Sequence, residues 1–197
     1  MARPKDENYD GKKETILKAA ARVFAEKGFL RTNIIDIGEA SGASKSRMYH
    51  YFESKEALAA AVMVRLLAQT RAAFDAIPRD RPALGRLDAL LRWTLSARLS
   101  GSVPHLPSTS PALQASLLAN RDYMDGLLSL SEEIGEMIRR ARADGAIRPG
   151  LRDEFVLYTL YARTCDPTLD FLKAGGSMTD AEIVDQMVTA CFGGLAA

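Results

Sequence analysis

Asn33-Ile-Ile-Asp-Ile-Gly-Glu-Ala-Ser-Gly-Ala-Ser-Lys-Ser-Arg-Met-Tyr-His-Tyr-Phe52 is the most specific stretch of this 197-residue chain. Asn33 is placed to cap a helix, and Asp36, three residues on, sets a carboxylate beside the exposed amides of the first turn. Gly42 suits a positive-φ corner, where any Cβ would be strained. Ser44 then caps a second, short helix that runs to about Tyr51. With Ile34, Ile37, Met48 and Phe52 forming a small core between two crossing helices, the stretch reads as a helix-turn-helix.

The second helix of that unit projects Lys45, Ser46, Arg47, Tyr49, His50 and Tyr51, and no acidic residue occurs between positions 43 and 52. Lys and Arg reach phosphates or guanine edges, hydroxyls bond phosphate oxygens, and rings meet sugars or the thymine methyl. A helix face that is merely solvated would have acids interspersed. The unit from about Thr32 to Tyr51 is therefore expected to dock in the major groove of DNA. Net charge, at +1, gives no such footprint, so the expectation rests on this local cluster.

Outward from this unit, apolar residues recur at helical spacing and alternating strand patterns are missing, which predicts an all-α protein of about nine helices. The spacing predicts helices over Lys12–Lys27, Ile34–Ser41, Ser44–Tyr51, Ser54–Ile77, Pro82–Leu99, Pro111–Asn120, Arg121–Ala143, Asp153–Lys173 and Thr179–Phe192. Asp166-Pro167 is expected to kink the eighth, and Thr179 with Glu182 has the spacing of a capping box. The breaker-rich stretch from Ser100 to Pro111 reads as a loop. A hydrophobic share of 47% and a charged share of 26% fit a globular chain. No run approaching roughly 18 apolar residues and no apolar leader is evident, so no membrane partner and a cytoplasmic location are expected. The two cysteines read as buried free thiols. With only His50 and His105 beside them, no metal site and no cofactor are expected.

The segment from Ile16 to Leu58, above all Gly42-Ala-Ser-Lys-Ser-Arg-Met-Tyr-His-Tyr-Phe-Glu-Ser-Lys-Glu-Ala-Leu58, resembles the N-terminal domain of TetR-family (tetracycline-repressor-like) transcriptional regulators. The resemblance covers about the first third of the chain. It implies an N-terminal three-helix DNA-binding domain over 1–55 and a C-terminal helical ligand-binding and dimerisation domain over 56–197. It also implies a homodimer on a palindromic double-stranded DNA operator, the last two helices forming a four-helix interface. Carried over by position, Thr32, Tyr49, His50, Tyr51 and Lys55 match phosphate contacts, while Lys45, Ser46 and Arg47 match positions that meet base edges; Ser44, which caps that helix, completes the DNA-binding set. Two departures stand out: Gly38 replaces the usual Ala, and Arg47 sits where many relatives carry a smaller residue.

The same resemblance implies a ligand pocket in the C-terminal core. Candidates are Trp93, Leu99, His105, Leu117, Tyr123, Met124, Leu127 and Tyr161, which suit a small apolar or aromatic ligand. A carboxylate or acyl-thioester on that ligand could be met by Arg92, Arg98, Arg121 or Arg163. For the dimer face, helical periodicity selects Phe155, Tyr158, Ala162, Cys165 and Leu169 in one helix and Ile183, Met187 and Cys191 in the other. The fourth helix, running from the DNA end into the core, reads as a lever. The resulting expectation is a repressor released by its ligand, with a ligand-blind or activating regulator as the alternative. A helical hydrolase using His105 among Ser102, Ser108 and Ser110 has little support, since no GxSxG elbow, metal cluster or Gly-rich phosphate loop is present.

Overall fold

The computed structural model describes residues 7–103 and 110–196, with side chains from residue 11 onward. Among them every extended element is an α-helix: α1 (Glu7–Lys27), α2 (Ile34–Ser41), α3 (Lys45–Tyr51), α4 (Lys55–Ala76), α5 (Ala83–Leu99), α6 (Pro111–Ala119), α7 (Arg121–Ala143), α8 (Asp153–Thr164), α9 (Thr168–Gly175) and α10 (Asp180–Leu195). The only β pairing among them is an isolated antiparallel bridge between Ile147 and Ala196. The all-α expectation holds, and α1 begins earlier than apolar spacing alone suggested.

Packing divides the described residues into two compact units. Unit one takes the chain up to Leu66 together with residues between Gly101 and Met124; unit two takes Leu67–Ser100 and the residues from Asp125 onward. This packing boundary follows a different line from the functional boundary expected after residue 55. The first part of α4 is built into unit one and its remainder into unit two. In unit one, Ile16, Ala20 and Phe24 of α1 close over Ile34, Ile37, Met48, Phe52 and Leu58, and Leu113 of α6 joins them. In unit two, Leu87, Leu91 and Leu95 of α5 meet Leu130, Ile134 and Ile138 of α7, Val156 and Leu160 of α8, and the inner side of α10.

Helix α4 corrects one reading of the sequence. Its 22 residues include an 18-residue window of mean hydropathy 1.3, long and apolar enough by length and composition to cross a bilayer. Polar residues at Arg65, Gln69, Thr70 and Arg71 interrupt the Leu, Val and Ala run, which is why the stretch is inconspicuous by eye. The helix instead packs Leu58, Ala59 and Val62 into the core of unit one and Phe74 into that of unit two. Arg65, midway along it, makes a 2.8 Å ion pair with Glu14 of α1.

The region expected as one kinked helix over Asp153–Lys173 is two helices. α8 stops at Thr164 and α9 starts at Thr168, with Pro167 at its N-cap. A kink leaves carbonyls near the proline unsatisfied; here those groups find partners outside the helix. The Arg98 guanidinium, from α5, donates to the carbonyls of Thr164 at 2.7 Å and Asp166 at 3.3 Å, and to the Asp170 carboxylate at 2.9 Å. Asp166 accepts from the Thr168 amide at 2.9 Å and so caps the new helix. Its carboxyl lies below the usual range: burial works against this, and is outweighed by the bonds from Thr168 and the nearby Arg163 guanidinium. The Arg98 side chain is 4% exposed, whereas its partner Asp170 is 61% exposed. The break thus rests mainly on carbonyl bonds and less on ion pairing, which solvent screens. Replacing Arg98 by Ala is expected to destabilise the protein by about 2–3 kcal/mol, read as a lower midpoint in urea unfolding with an unchanged m-value.

Candidate nucleic-acid interface

The α2–α3 unit is built by local hydrogen bonds that each residue type is suited to make. The Asn33 side chain accepts from the Ile35 amide at 2.8 Å and the Asp36 amide at 2.9 Å, while Asp36 accepts from the Asn33 amide at 2.8 Å. The Lys27 ammonium, 2.8 Å from Asp36, ties the end of α1 to the start of α2. That hydrogen bond, followed by the one from Asn33, holds the Asp36 carboxyl below the usual range. Gly42 caps α2 in the left-handed region at φ 68°, and Ser44 accepts from the Arg47 amide at 3.3 Å to start α3.

Gly38 has a positive reason for being glycine. A Cβ built there would lie 2.8 Å from the Ala43 carbonyl oxygen, a backbone atom with no room to yield cheaply. The same close approach lets the Ala43 amide donate to the Gly38 carbonyl at 2.9 Å, closing the turn. Helix α3 is then fixed by one fully buried anchor, Met48, against Ile37 and Phe24 in the unit-one core. Burying a side chain of this size is worth about 1.5–3 kcal/mol.

With Met48 facing inward, Ser44, Lys45, Ser46, Arg47, Tyr49 and His50 lie exposed along the other side of α3. Tyr49 is 48% exposed. His50 meets the Tyr51 ring edge-on at 5.5 Å, and Tyr51, half-buried, leans on Phe52 at 6.4 Å between centroids. The structure therefore brings the base-reading and most of the phosphate-contacting candidates together along α3, in a stretch without acidic residues.

Two candidates lie elsewhere. Thr32 is only 2% exposed and its hydroxyl donates to the Gly28 carbonyl at 2.8 Å, closing the end of α1. The Lys55 ammonium turns inward to the carbonyls of Phe29 at 3.0 Å and Thr32 at 2.9 Å, over the Phe29 ring at 4.4 Å. Both side chains build the α1–α2 connection in this conformation and do not present phosphate donors. The sequence held no local signal for this, since Lys55 reaches back 26 and 23 residues.

Residues 16–62 match the family described as "Bacterial regulatory proteins, tetR family". This N-terminal segment is of the tetR family. Along most of its length the chain is also similar to the HTH-type transcriptional regulator RutR of Escherichia coli K12, at 28% identity over 181 residues, covering 89% of this chain and 82% of that one. It is similar to the HTH-type transcriptional repressor KstR2 of Rhodococcus jostii RHA1 at 25% identity, covering 94% and 92%. Among solved structures, the ketosteroid transcriptional regulator KstR2 of Mycobacterium tuberculosis superposes with a TM-score of 0.66 at 21% identity, covering 94% of this chain and 95% of that one. A tetR family transcription regulator from Marinobacter aquaeolei VT8 gives 0.66 at 19% identity, covering 96% and 98%. These structures share the fold.

The remaining candidates distribute unevenly. Of the ligand set, Trp93, Leu99, Leu127 and Tyr161 are partly buried in unit two, while Leu117, Tyr123 and Met124 are partly buried in unit one; His105 and Ser108 lie outside the described residues. The Tyr161 hydroxyl shares a 2.7 Å hydrogen bond with Ser131, and burial raises its pKa. Three arginines expected to meet a ligand carboxylate already hold protein carboxylates: Arg92 with Asp88 and Asp185, Arg98 with Asp170, Arg163 with Asp166. Ser110, raised above as a hydrolase residue, is buried and accepts from the Leu113 amide as the cap of α6.

The dimer candidates separate cleanly. Phe155 and Tyr158 are 58% and 62% exposed, and Ala162 and Cys165 are exposed after them. Leu169, Ile183, Met187 and Cys191 are buried in the core of unit two. Cys165 is exposed and Cys191 buried, so only one of the two expected buried thiols is buried, and burial raises the Cys191 thiol pKa. Phe171 on α9, outside that periodic set, is 75% exposed. Replacing Gly38 by Ala is expected to lower the melting temperature by several degrees despite alanine's better helix propensity, because the turn carbonyl must move; differential scanning calorimetry reads this directly.

Proposed function

We propose that the protein is a homodimeric transcriptional repressor that holds a palindromic double-stranded DNA operator through α3 and releases it on binding a small ligand. The observation that carries this reading is the exposed, acid-free strip Lys45-Ser46-Arg47 with Tyr49 and His50, held by the buried Met48 inside the segment that matches the tetR family. Arg47 pairs bidentately with a guanine edge, Lys45 and Ser46 reach neighbouring bases, and Tyr49 and His50 meet phosphates. Lys55 contributes its backbone amide at the start of α4, where the helix dipole favours an anion, while its ammonium stays with the carbonyls of Phe29 and Thr32. Repression is favoured over activation by the relative named as a repressor.

A single helix-turn-helix this small needs a second half-site about 34–36 Å away, one DNA turn, which calls for a twofold partner. Phe155, Tyr158, Ala162 and Cys165 supply a self-complementary stripe on α8 for that partner. The partly buried Trp93, Leu99, Leu127 and Tyr161 support an apolar or aromatic effector. With arginines 92, 98 and 163 already committed to carboxylates, the effector is recognised chiefly by apolar surface. A DNA-binding role places the protein in the cytoplasm, and no reaction is assigned to it.

Electrophoretic mobility shift on the promoter region upstream of the protein's own gene, across a salt series, tests this. Affinity is expected to fall linearly on a log–log plot with salt. Arg47→Ala should cost about 1–3 kcal/mol and relax preference at one base pair; binding equal to wild type at every position would reject the assignment of α3. In sedimentation velocity, Tyr158→Glu should move the protein from dimer to monomer and weaken operator binding with it. An intact dimer would place the interface off α8.

A further inference from the structure

We infer that unit two carries a binding site for an oxyanion-bearing small molecule, in a cavity of about 370 Å³ framed by the end of α4, the start of α5 and the second half of α7. None of the expected effector residues lines it. Its walls carry four arginines, Arg71, Arg79, Arg86 and Arg140, against three carboxylates, Asp75, Glu133 and Glu136. Two of those carboxylates are already spent. Glu133 pairs with Arg71 at 2.5 Å, and Glu136 pairs with Arg140 and with Arg139, each at 2.9 Å. The bonds from Arg140 and then Arg139 hold the Glu136 carboxyl below the usual range, so it remains an ionised part of the wall.

Arg79 and Arg86 are left with Asp75 alone to balance them. Arg86 is the telling residue. Its guanidinium lies over the Phe74 ring at 4.6 Å and donates to the Met137 sulfur at 3.1 Å and, at the long limit of 3.5 Å, to the Phe74 carbonyl. Its Nε is buried with no hydrogen-bond partner. Among the described residues, then, a part-buried cation meets a ring, a thioether and a carbonyl, but no carboxylate. Such a group is costly to hold unless an anion completes it.

The stacking on Phe74 fixes the plane of the guanidinium, and Nη1 and Nη2 each carry a second N–H beyond the bond they make, a pair of donors that suits a planar or tetrahedral oxyanion. Arg79, exposed in the turn after α4, adds a second charge at the rim. The volume is within the usual range of about 300–1,000 Å³ for small-molecule sites. Phosphate and carboxylate share the required chemistry, and the ligand carries one or the other.

The test is isothermal titration calorimetry on the full chain at constant ionic strength, with pyrophosphate in one arm and citrate in the other. Saturable binding is expected in at least one arm, and the arm that binds identifies the ligand class. Arg79→Ala, an exposed position with no fold to lose, should weaken that binding at least tenfold. Arg86→Lys should do the same by keeping charge while losing the planar fork, and is scored only if its thermal melt stays cooperative. Arg152→Ala removes an equal charge elsewhere in unit two and should leave binding unchanged. Absence of binding in both arms at millimolar concentration overturns the inference. So does equal affinity in wild type and Arg79→Ala, or an equal loss in Arg152→Ala, which would reduce the effect to general attraction.

Discussion

The geometry of the α2–α3 turn is the constraint on which the rest depends. Two backbone segments approach so closely at Gly38 and Ala43 that a methyl group does not fit between them. The left-handed Gly42 reverses the chain within that space. Only with this turn closed does Met48 reach the core, and only with Met48 seated do the cationic and aromatic side chains of α3 share one solvent-facing strip. The surface proposed to read DNA is thus the outward consequence of an inward packing event. Its chemistry is assembled by removing one residue, Met48, from solvent.

Much of this was legible in the sequence because the devices involved are local. Asn33 with Asp36, Gly42 and Ser44 act over three residues or fewer, and each performs in the structure the role its type and spacing indicate. The same holds for Thr179 and Glu182 at the start of α10. For Lys55 and for the α8–α9 break, the deciding partner was distant. Nothing near Lys55 indicates that its ammonium will settle on carbonyls in the link between α1 and α2. Nothing near Asp166-Pro167 indicates that an arginine of α5 will satisfy carbonyls there and turn a kink into a break.

The last helices show a different limit. An apolar residue every third or fourth position says that a helix has a buried face, but not what buries it. Phe155 and Tyr158 are exposed while Leu169, Ile183, Met187 and Cys191 pack into their own unit, although all six fit the same periodicity. Residue chemistry separates the groups only in part. The exposed pair are aromatics with ample rigid surface, a type favoured at interfaces, and the buried four are compact aliphatic or sulfur side chains.

Arg98 has a further consequence for how unit two moves. α9 has eight residues, too few to hold a helix in water without tertiary support. Its helicity is borrowed from the burial of Leu169 and from the guanidinium that grips both its first turn and the end of α8. Its amides therefore exchange with solvent through a local opening that leaves the neighbouring long helices intact, and α9 belongs to the low-stability end of the molecule's spectrum of partial unfolding.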